Sequence, residues 1–230
     1  MAEPQQKKSK SLQIGYWSIR GLAQPIRLLL KYAGIEFENV TYTQAEAPSF
    51  SREGWLSVKH TLGLPFPNLP YLIDGDVKIT QTNAILTYLG RKANLYGKTE
   101  ADMATVDMLL NVAMDFRNGF VRLCYSSQME SMKEEYLKTV RAKLEEMSKY
   151  LGDKPWFAGN EITFPDFHFY EMFDQHKEFH PQLFDGLDNL KAYMDRFEAL
   201  PAIKSYMDSP EFIRWPINNP IAQWRGNKKL

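Results

Sequence analysis

The chain has 230 residues, 44% hydrophobic and 24% charged, the balance of a globular protein with room for one large domain or two small ones. Its 28 basic and 28 acidic side chains cancel, which removes the electrostatic reason to expect nucleic acid or an anionic membrane as partner. A single cysteine, Cys124, excludes an internal disulfide framework and a cysteine-based metal site, and no run nears the ~18 apolar residues of a membrane span.

Residues 1–11 are polar and read as a disordered leader, without the hydrophobic region of a secretory signal. The cytosol is the expected compartment. The histidines His60, His168, His176 and His180 lack the spacing of a helical zinc motif, so no metal is expected. Leu12-Gln13-Ile14 alternates like a short strand and runs into Gly15-Tyr16-Trp17-Ser18. Pro25 sits where a helix begins, Ile26, Leu29, Leu30 and Ala33 follow at helical spacing, and Gly34 terminates it. Phe37 to Tyr42 is β-prone, and a long irregular stretch follows through Pro48, Gly54, Gly63 and Pro65.

Tyr71-Leu72-Ile73 and Val77-Lys78-Ile79 flank Asp74-Gly75-Asp76, which predicts a hairpin because glycine accepts positive φ in the turn. A helix opens near Gln81-Thr82-Asn83 and carries Ile85, Leu86, Tyr88 and Leu89. A βαβ unit, a hairpin and a closing helix make a compact α/β domain over residues 12–92. Beyond it the strand signals vanish, and residues 99–230 read as an all-helical domain. One amphipathic helix is predicted from about Glu100 to Tyr125 and another from about Lys133 to Leu151, with Gly152 as terminator. Thr163 and Asp166 have the spacing of an N-cap and its returning carboxylate, with Ile162 and Phe167 placed for a hydrophobic staple. Helices from about Asn189 to Leu200 and from Pro201 follow, and the tail from Trp215 to Trp224 is too apolar to hang free.

Three segments carry more specific information. Gly15-Tyr16-Trp17-Ser18-Ile19-Arg20-Gly21-Leu22-Ala23-Gln24-Pro25-Ile26-Arg27 resembles the opening of mu-class glutathione transferases. So do Gly63 to Gly75 (GLPFPNLPYLIDG) and Ile79 to Leu86 (ITQTNAIL), with Pro155-Trp156-Phe157-Ala158-Gly159 and Ala222-Gln223-Trp224 further on. The resemblance runs from about Ile14 to Trp224. It implies a thioredoxin-like N-terminal domain followed by an all-helical C-terminal one, and a homodimer that uses reduced glutathione as co-substrate with no permanently bound cofactor.

The residue roles follow from that resemblance. Tyr16 matches the catalytic tyrosine that donates a hydrogen bond to the glutathione sulfur, chemistry needed because a free thiol is mostly protonated at neutral pH. Leu69-Pro70 matches a cis-proline turn whose Leu69 backbone pairs with the cysteinyl unit, and Gln81 and Thr82 place the γ-glutamyl carboxylate at a helix N-terminus. Trp17, Arg52, Trp55, Lys59 and Asn68 match further glutathione contacts, with Arg52 and Lys59 on the glycine carboxylate side. Leu22, Met114, Asn118, Val121, Tyr125 and Asn219 match the electrophile pocket, Tyr125 as a hydroxyl that assists developing negative oxygen. By spacing alone the Met114–Asn118–Val121–Tyr125 stripe reads more readily as helix core than as a ligand site. Asp115 matches a carboxylate offered across the dimer interface, and Phe66 an aromatic key inserted into the neighbouring subunit.

The chain departs from the pattern at Pro65, where an acidic residue is expected, and at His60 and Thr61. Asn118 replaces a larger apolar side chain, and Asn219 a serine or threonine. The changes cluster around the electrophile pocket, so substrate preference does not carry over. Intact Tyr16, Leu69, Gln81 and Thr82 argue against a hydrophobic-ligand carrier, which has no need of a thiolate-stabilising hydroxyl, whereas a glutathione-dependent isomerase would use the same site and stays open on sequence alone. A disulfide reductase does not fit, because such members carry a cysteine where Tyr16 stands.

Overall fold

The structure, a computed structural model, describes residues 11–226, so all of the expected leader except Ser11 lies outside the described residues. Four strands form one sheet: β1 (Leu12–Trp17), β2 (Phe37–Tyr42), β3 (Tyr71–Asp74) and β4 (Val77–Thr80), in the order β2-β1-β3-β4. β2 runs parallel to β1, β3 antiparallel to it, and β4 pairs with β3 across Gly75-Asp76, within the turn predicted at Asp74-Gly75-Asp76 but with Asp74 drawn into β3 opposite Val77. β1 is therefore the central strand. It pairs Gly15 with Tyr71, and a Cβ at Gly15 would lie 2.0 Å from the Tyr71 ring, so only glycine fits there.

α1 (Gln24–Tyr32) carries Pro25 in its first turn, and its apolar stripe is fully buried against α3 (Thr82–Lys92) and the helical half. A short α2 (Glu53–Leu56) interrupts the stretch predicted as irregular; four residues are too few to show a helical period. α4 (Glu100–Cys124) opens on a capping box in which Asp102 accepts from the Thr99 N–H at 3.0 Å and Thr99 Oγ1 accepts from the Asp102 N–H at 3.1 Å. α5 (Met129–Leu151) starts four residues before its predicted onset, at an N-cap, Gln128, that makes no side-chain bond. α6 (Phe164–Phe179), α7 (Asp188–Glu198) and α8 (Pro201–Met207) complete the helical domain.

α6 is the central member. Its first ten residues are all buried, and it packs against α1, α3, α4 and α7. A helix buried all round has no solvent-facing stripe, which is why Phe167, Phe169, Tyr170, Met172 and Phe173 occupy every side of it. Its start is organised by Asp166, whose carboxylate accepts from the Thr163 N–H (2.8 Å), the Thr163 hydroxyl (3.1 Å), the Phe157 N–H (3.1 Å) and the Tyr193 hydroxyl (3.2 Å). Burial pushes this carboxyl up to about 6, and the four donors hold it from going further. One side chain thus fixes the N-terminus of α6, the Trp156–Gly159 loop and α7.

α6 also carries two buried histidines. His176 bonds Met172 O through Nδ1 (2.6 Å) and the Tyr136 hydroxyl through Nε2 (2.7 Å), the arrangement of a satisfied neutral ring. His168 finds no partner for either ring nitrogen among the described residues. Burial lowers His168 to about 3, with the Arg117 charge adding to it, and lowers His176 to about 4. Unfolded histidines bind protons from about pH 6.5 downwards, and these two do not until well below. The stability they confer is therefore complete above pH 6.5 and is lost as the pH falls towards 4. Replacing His168 by leucine is expected to raise stability at pH 7 and to remove about 2 kcal/mol of the loss between pH 7 and pH 5. Urea unfolding at the two pH values measures both, and an unchanged acid loss would count against a neutral buried His168.

Candidate active site

The site is built where β1 ends. Tyr16 is buried beneath the loop of residues 18–23, and its hydroxyl oxygen accepts the Leu22 N–H at 3.0 Å. With its oxygen already accepting, the hydroxyl keeps its own proton for another partner. The close pass depends on Gly21: its φ is +43°, and a Cβ would stand 2.7 Å from the Tyr16 oxygen. A small second core of Ile19, Trp55, Leu64, Leu69 and Tyr71 packs around Tyr16, with Trp17 and Leu22 against it. Within it Trp55 stacks on Tyr71, ring centres 6.1 Å apart, and Tyr71 shares a 3.0 Å hydrogen bond with Tyr42.

The loop over Tyr16 is held from the helical domain. Arg20 Nε and Nη2 bond the two Glu171 oxygens at 2.9 and 2.8 Å, and Asp174 adds a second carboxylate to Nη2. Burial works against the charge on Arg20, but Glu171 and Asp174 outweigh it and push its pKa up. The main chain of the tail adds two more bonds, from the Arg20 N–H to Pro216 O (3.0 Å) and from the Gly21 N–H to Ile217 O (3.1 Å). Neither Arg20 nor Glu171 was legible as a site residue. They stand 151 positions apart, and the only signal was a carboxylate set in the aromatic run of α6.

Next to Tyr16 the Leu69–Pro70 peptide is cis. The Leu69 N–H donates to Asn68 Oδ1 at 2.9 Å, which brings two of the predicted residues together and satisfies locally a donor expected to be open. At the start of α3, Gln81 is held at φ +75° and Thr82 is buried. Its hydroxyl has no partner among the described residues, beside the unpaired N–H groups of the first helical turn. This arrangement suits an anion. Arg52 is exposed just before α2 and Lys59 half-buried in the turn after it, and neither has an ion-pair partner among the described residues.

On α4 the ambiguous stripe separates from the core. Ala113, Phe116, Phe120 and Leu123 are buried, whereas Met114 and Val121 are half-buried and Asn118 and Tyr125 exposed. The Tyr125 hydroxyl accepts the Asn219 N–H at 2.9 Å, so this phenol too retains its proton. Although 36% of the residue is accessible, desolvation raises its pKa to about 12 against the opposing Asn219 bond, which keeps it a donor at neutral pH. Arg117, absent from the predicted set, sits on the same stripe three residues after Met114.

Asp115 faces a different way. With Met108, Val112, Met147 and Tyr150 it lines a groove of about 500 Å³ between α4 and α5. Phe66 is 80% exposed on a loop pinned from β4 by Lys78 Nζ to Leu62 O (2.8 Å) and Thr80 Oγ1 to Phe66 O (2.9 Å). Among the described residues no cluster of potential ligands for a metal occurs, and no helix is long and apolar enough to cross a membrane.

The chain is similar to known proteins over nearly its whole length. Residues 12–91 match the glutathione S-transferase N-terminal domain family, and residues 114–210 match a glutathione S-transferase C-terminal domain family. The chain is 50% identical over 220 residues to glutathione S-transferase Mu 3 of Homo sapiens, covering 96% of this chain and 97% of that one. Identity to glutathione S-transferase Mu 5 of Rattus norvegicus is 50% over 222 residues, 96% and 98% of the two chains. Among solved structures, the glutathione S-transferase Blo t 8 superposes with a TM-score of 0.83 at 35% identity, covering 91% and 98%. The Pi-class enzyme of Onchocerca volvulus gives 0.82 at 30% identity, covering 93% and 100%.

The Arg20–Glu171 fork gives a direct test of how the site is held. Glu171→Gln keeps the shape but leaves the buried guanidinium short of a charge, and is expected to cost about 3 kcal/mol in chemical denaturation. Replacing both residues by methionine is expected to recover much of that loss, since the one charge then left without its partner, Asp174, is part-exposed to water. Equal destabilisation by the single and double changes would argue against the pairing as the cause.

Proposed function

The chain belongs to the mu class of glutathione transferases, and on that premise we propose how its own residues divide the work of conjugating glutathione to electrophiles. The observation that carries the reading is the Leu22 N–H bond to the Tyr16 oxygen, which frees the phenol proton for the glutathione sulfur. A thiol of ordinary pKa, ~8.5, is only a few per cent thiolate at neutral pH. A hydrogen bond donated to the charged form lowers that pKa and raises the thiolate fraction.

Glutathione would lie along the cis-proline turn, with Leu69 and Asn68 on its cysteinyl unit and Trp17 beside it. Its γ-glutamyl carboxylate would enter the start of α3 at Gln81 and Thr82, where the unpartnered hydroxyl and helix amides wait for an acceptor. Arg52, Trp55 and Lys59 would hold the glycine end. The thiolate lone pair then forms a bond to the electrophilic carbon, and the leaving group departs with the electrons of the broken bond. Where an epoxide opens instead, the electrons collect on oxygen, and the Tyr125 proton is held ready for it. Leu22, Met114, Asn118, Val121 and Asn219 supply the walls for an apolar electrophile.

The assembly we propose is a two-fold dimer. Phe66 of one subunit fills the α4–α5 groove of the other, and the exposed apolar Met108, Val112 and Tyr150 give that ring its surroundings. Asp115, in the same groove, would reach the amino group of the glutathione held by the partner. The task proposed for the dimer is detoxification of apolar electrophiles in the cytosol.

Tyr16→Phe is expected to lower the rate of conjugation to a chloro-dinitrobenzene by one to three orders of magnitude, roughly, at similar glutathione affinity. Retention of nearly full rate would remove Tyr16 from the mechanism. For the assembly, two rings buried by symmetry at about 2 kcal/mol each mean that Phe66→Ala weakens the dimer roughly a thousandfold. Sedimentation over a concentration series reads this, and a wild type that runs as a monomer would discard the dimer.

A further inference from the structure

Arg117 has no ion-pair partner among the described residues. α4 places it three residues after Met114 and four before Val121, on the stripe that faces the electrophile. Its side chain is half-buried, yet among the described residues no carboxylate lies within ion-pair distance. Its side-chain hydrogen bond is a long one, 3.4 Å from Nη1 to Oδ1 of Asn118. The nearby carboxylate, Glu171, has both oxygens committed to the Arg20 fork.

The other neighbours offer no counter-charge. Tyr125 and Cys124 both feel the Arg117 charge, but burial raises the phenol and the thiol to about 12 each, so these two are neutral at physiological pH. His168, buried with two unpartnered ring nitrogens, is held neutral in part by Arg117 itself. Burial lowers the Arg117 pKa from its ordinary value, but a guanidinium at neutral pH remains a cation. The wall of the electrophile pocket therefore holds a fork of N–H donors with one weak acceptor bond among them.

We propose that Arg117 is a specificity residue that accepts a carboxylate on the electrophile, pairing its guanidinium fork with the two anionic oxygens so that the reacting carbon faces the glutathione sulfur. The assignment rests on the conjugation reading above and narrows it from apolar electrophiles in general to those bearing an anionic oxygen group. Planar oxygen pairs match the fork bidentately, and a partly desolvated site strengthens the contact beyond its value on an open surface.

The test compares a chloro-dinitrobenzoate with the matching chloro-dinitrobenzamide, which differ in charge and little in size. For each, kcat/KM is divided by the uncatalysed rate constant with glutathione. The wild type is expected to favour the benzoate by about tenfold, and Arg117→Met to bring the ratio to about one. Arg117→Lys, a point charge without the fork, is expected to fall between and serves if the methionine variant does not fold. Arg122→Met, an exposed cation on the same helix, is expected to keep the wild-type ratio. Conjugation of both compounds without preference, or a preference that survives Arg117→Met, would overturn the Arg117 assignment and leave the conjugation reading intact. A wild type that conjugates neither would overturn both.

Discussion

Arg20 is a buried guanidinium, and the rest of the site depends on how its charge is answered. It comes from the loop after the central strand, and its counter-charges come from the central helix of the other domain. Desolvating both charges is expensive, so the pair holds only where the fork geometry is met. That requirement sets the position of residues 18–23 against α6, and through Leu22 the position of the Tyr16 hydroxyl. The α/β domain supplies the phenol, and the helical domain fixes where it sits.

α6 can serve as that reference because little in its own surroundings is free to move. Stacked rings such as Phe157 on Phe169 and Tyr170 on Phe197, at centre distances of 4.0 and 4.1 Å, close its sides. Asp166 closes its start with four accepted bonds. A packed core resists small displacements, so a carboxylate projecting from it defines a fixed point. Glu171 projects from it.

Much of this architecture is written in local signals. Pro25 and Gly34 bracket α1, Asp74-Gly75-Asp76 marks the hairpin, and Thr163 with Asp166 marks α6, because each is a position where backbone chemistry admits few residue types. The onset of α5 is less legible, since Gln128 makes no cap, and α2 is shorter than the period that would reveal it. The site divides in the same way. Tyr16, Leu69, Gln81 and Thr82 lie in contiguous motifs, and the structure gives them a freed proton, a cis peptide and an unpartnered hydroxyl. Arg20, Glu171 and Arg117 draw their meaning from partners, or the lack of them, across the fold, and no window of sequence contains that information.

The two phenols lean on the main chain in the same manner, Tyr16 on the Leu22 N–H and Tyr125 on the Asn219 N–H. The segments that carry those amides are themselves joined, through Arg20 to Pro216 and Gly21 to Ile217, by backbone bonds alone. The two hydroxyls are thus linked through main-chain atoms, with the Arg20–Glu171 pair and Gly21 holding the loop in place. Substitution on this rim, as at Leu22, Asn118 or Asn219, can reshape the walls while the spacing of the reactive groups is inherited unchanged. Such a scaffold admits different walls around the same reactive groups.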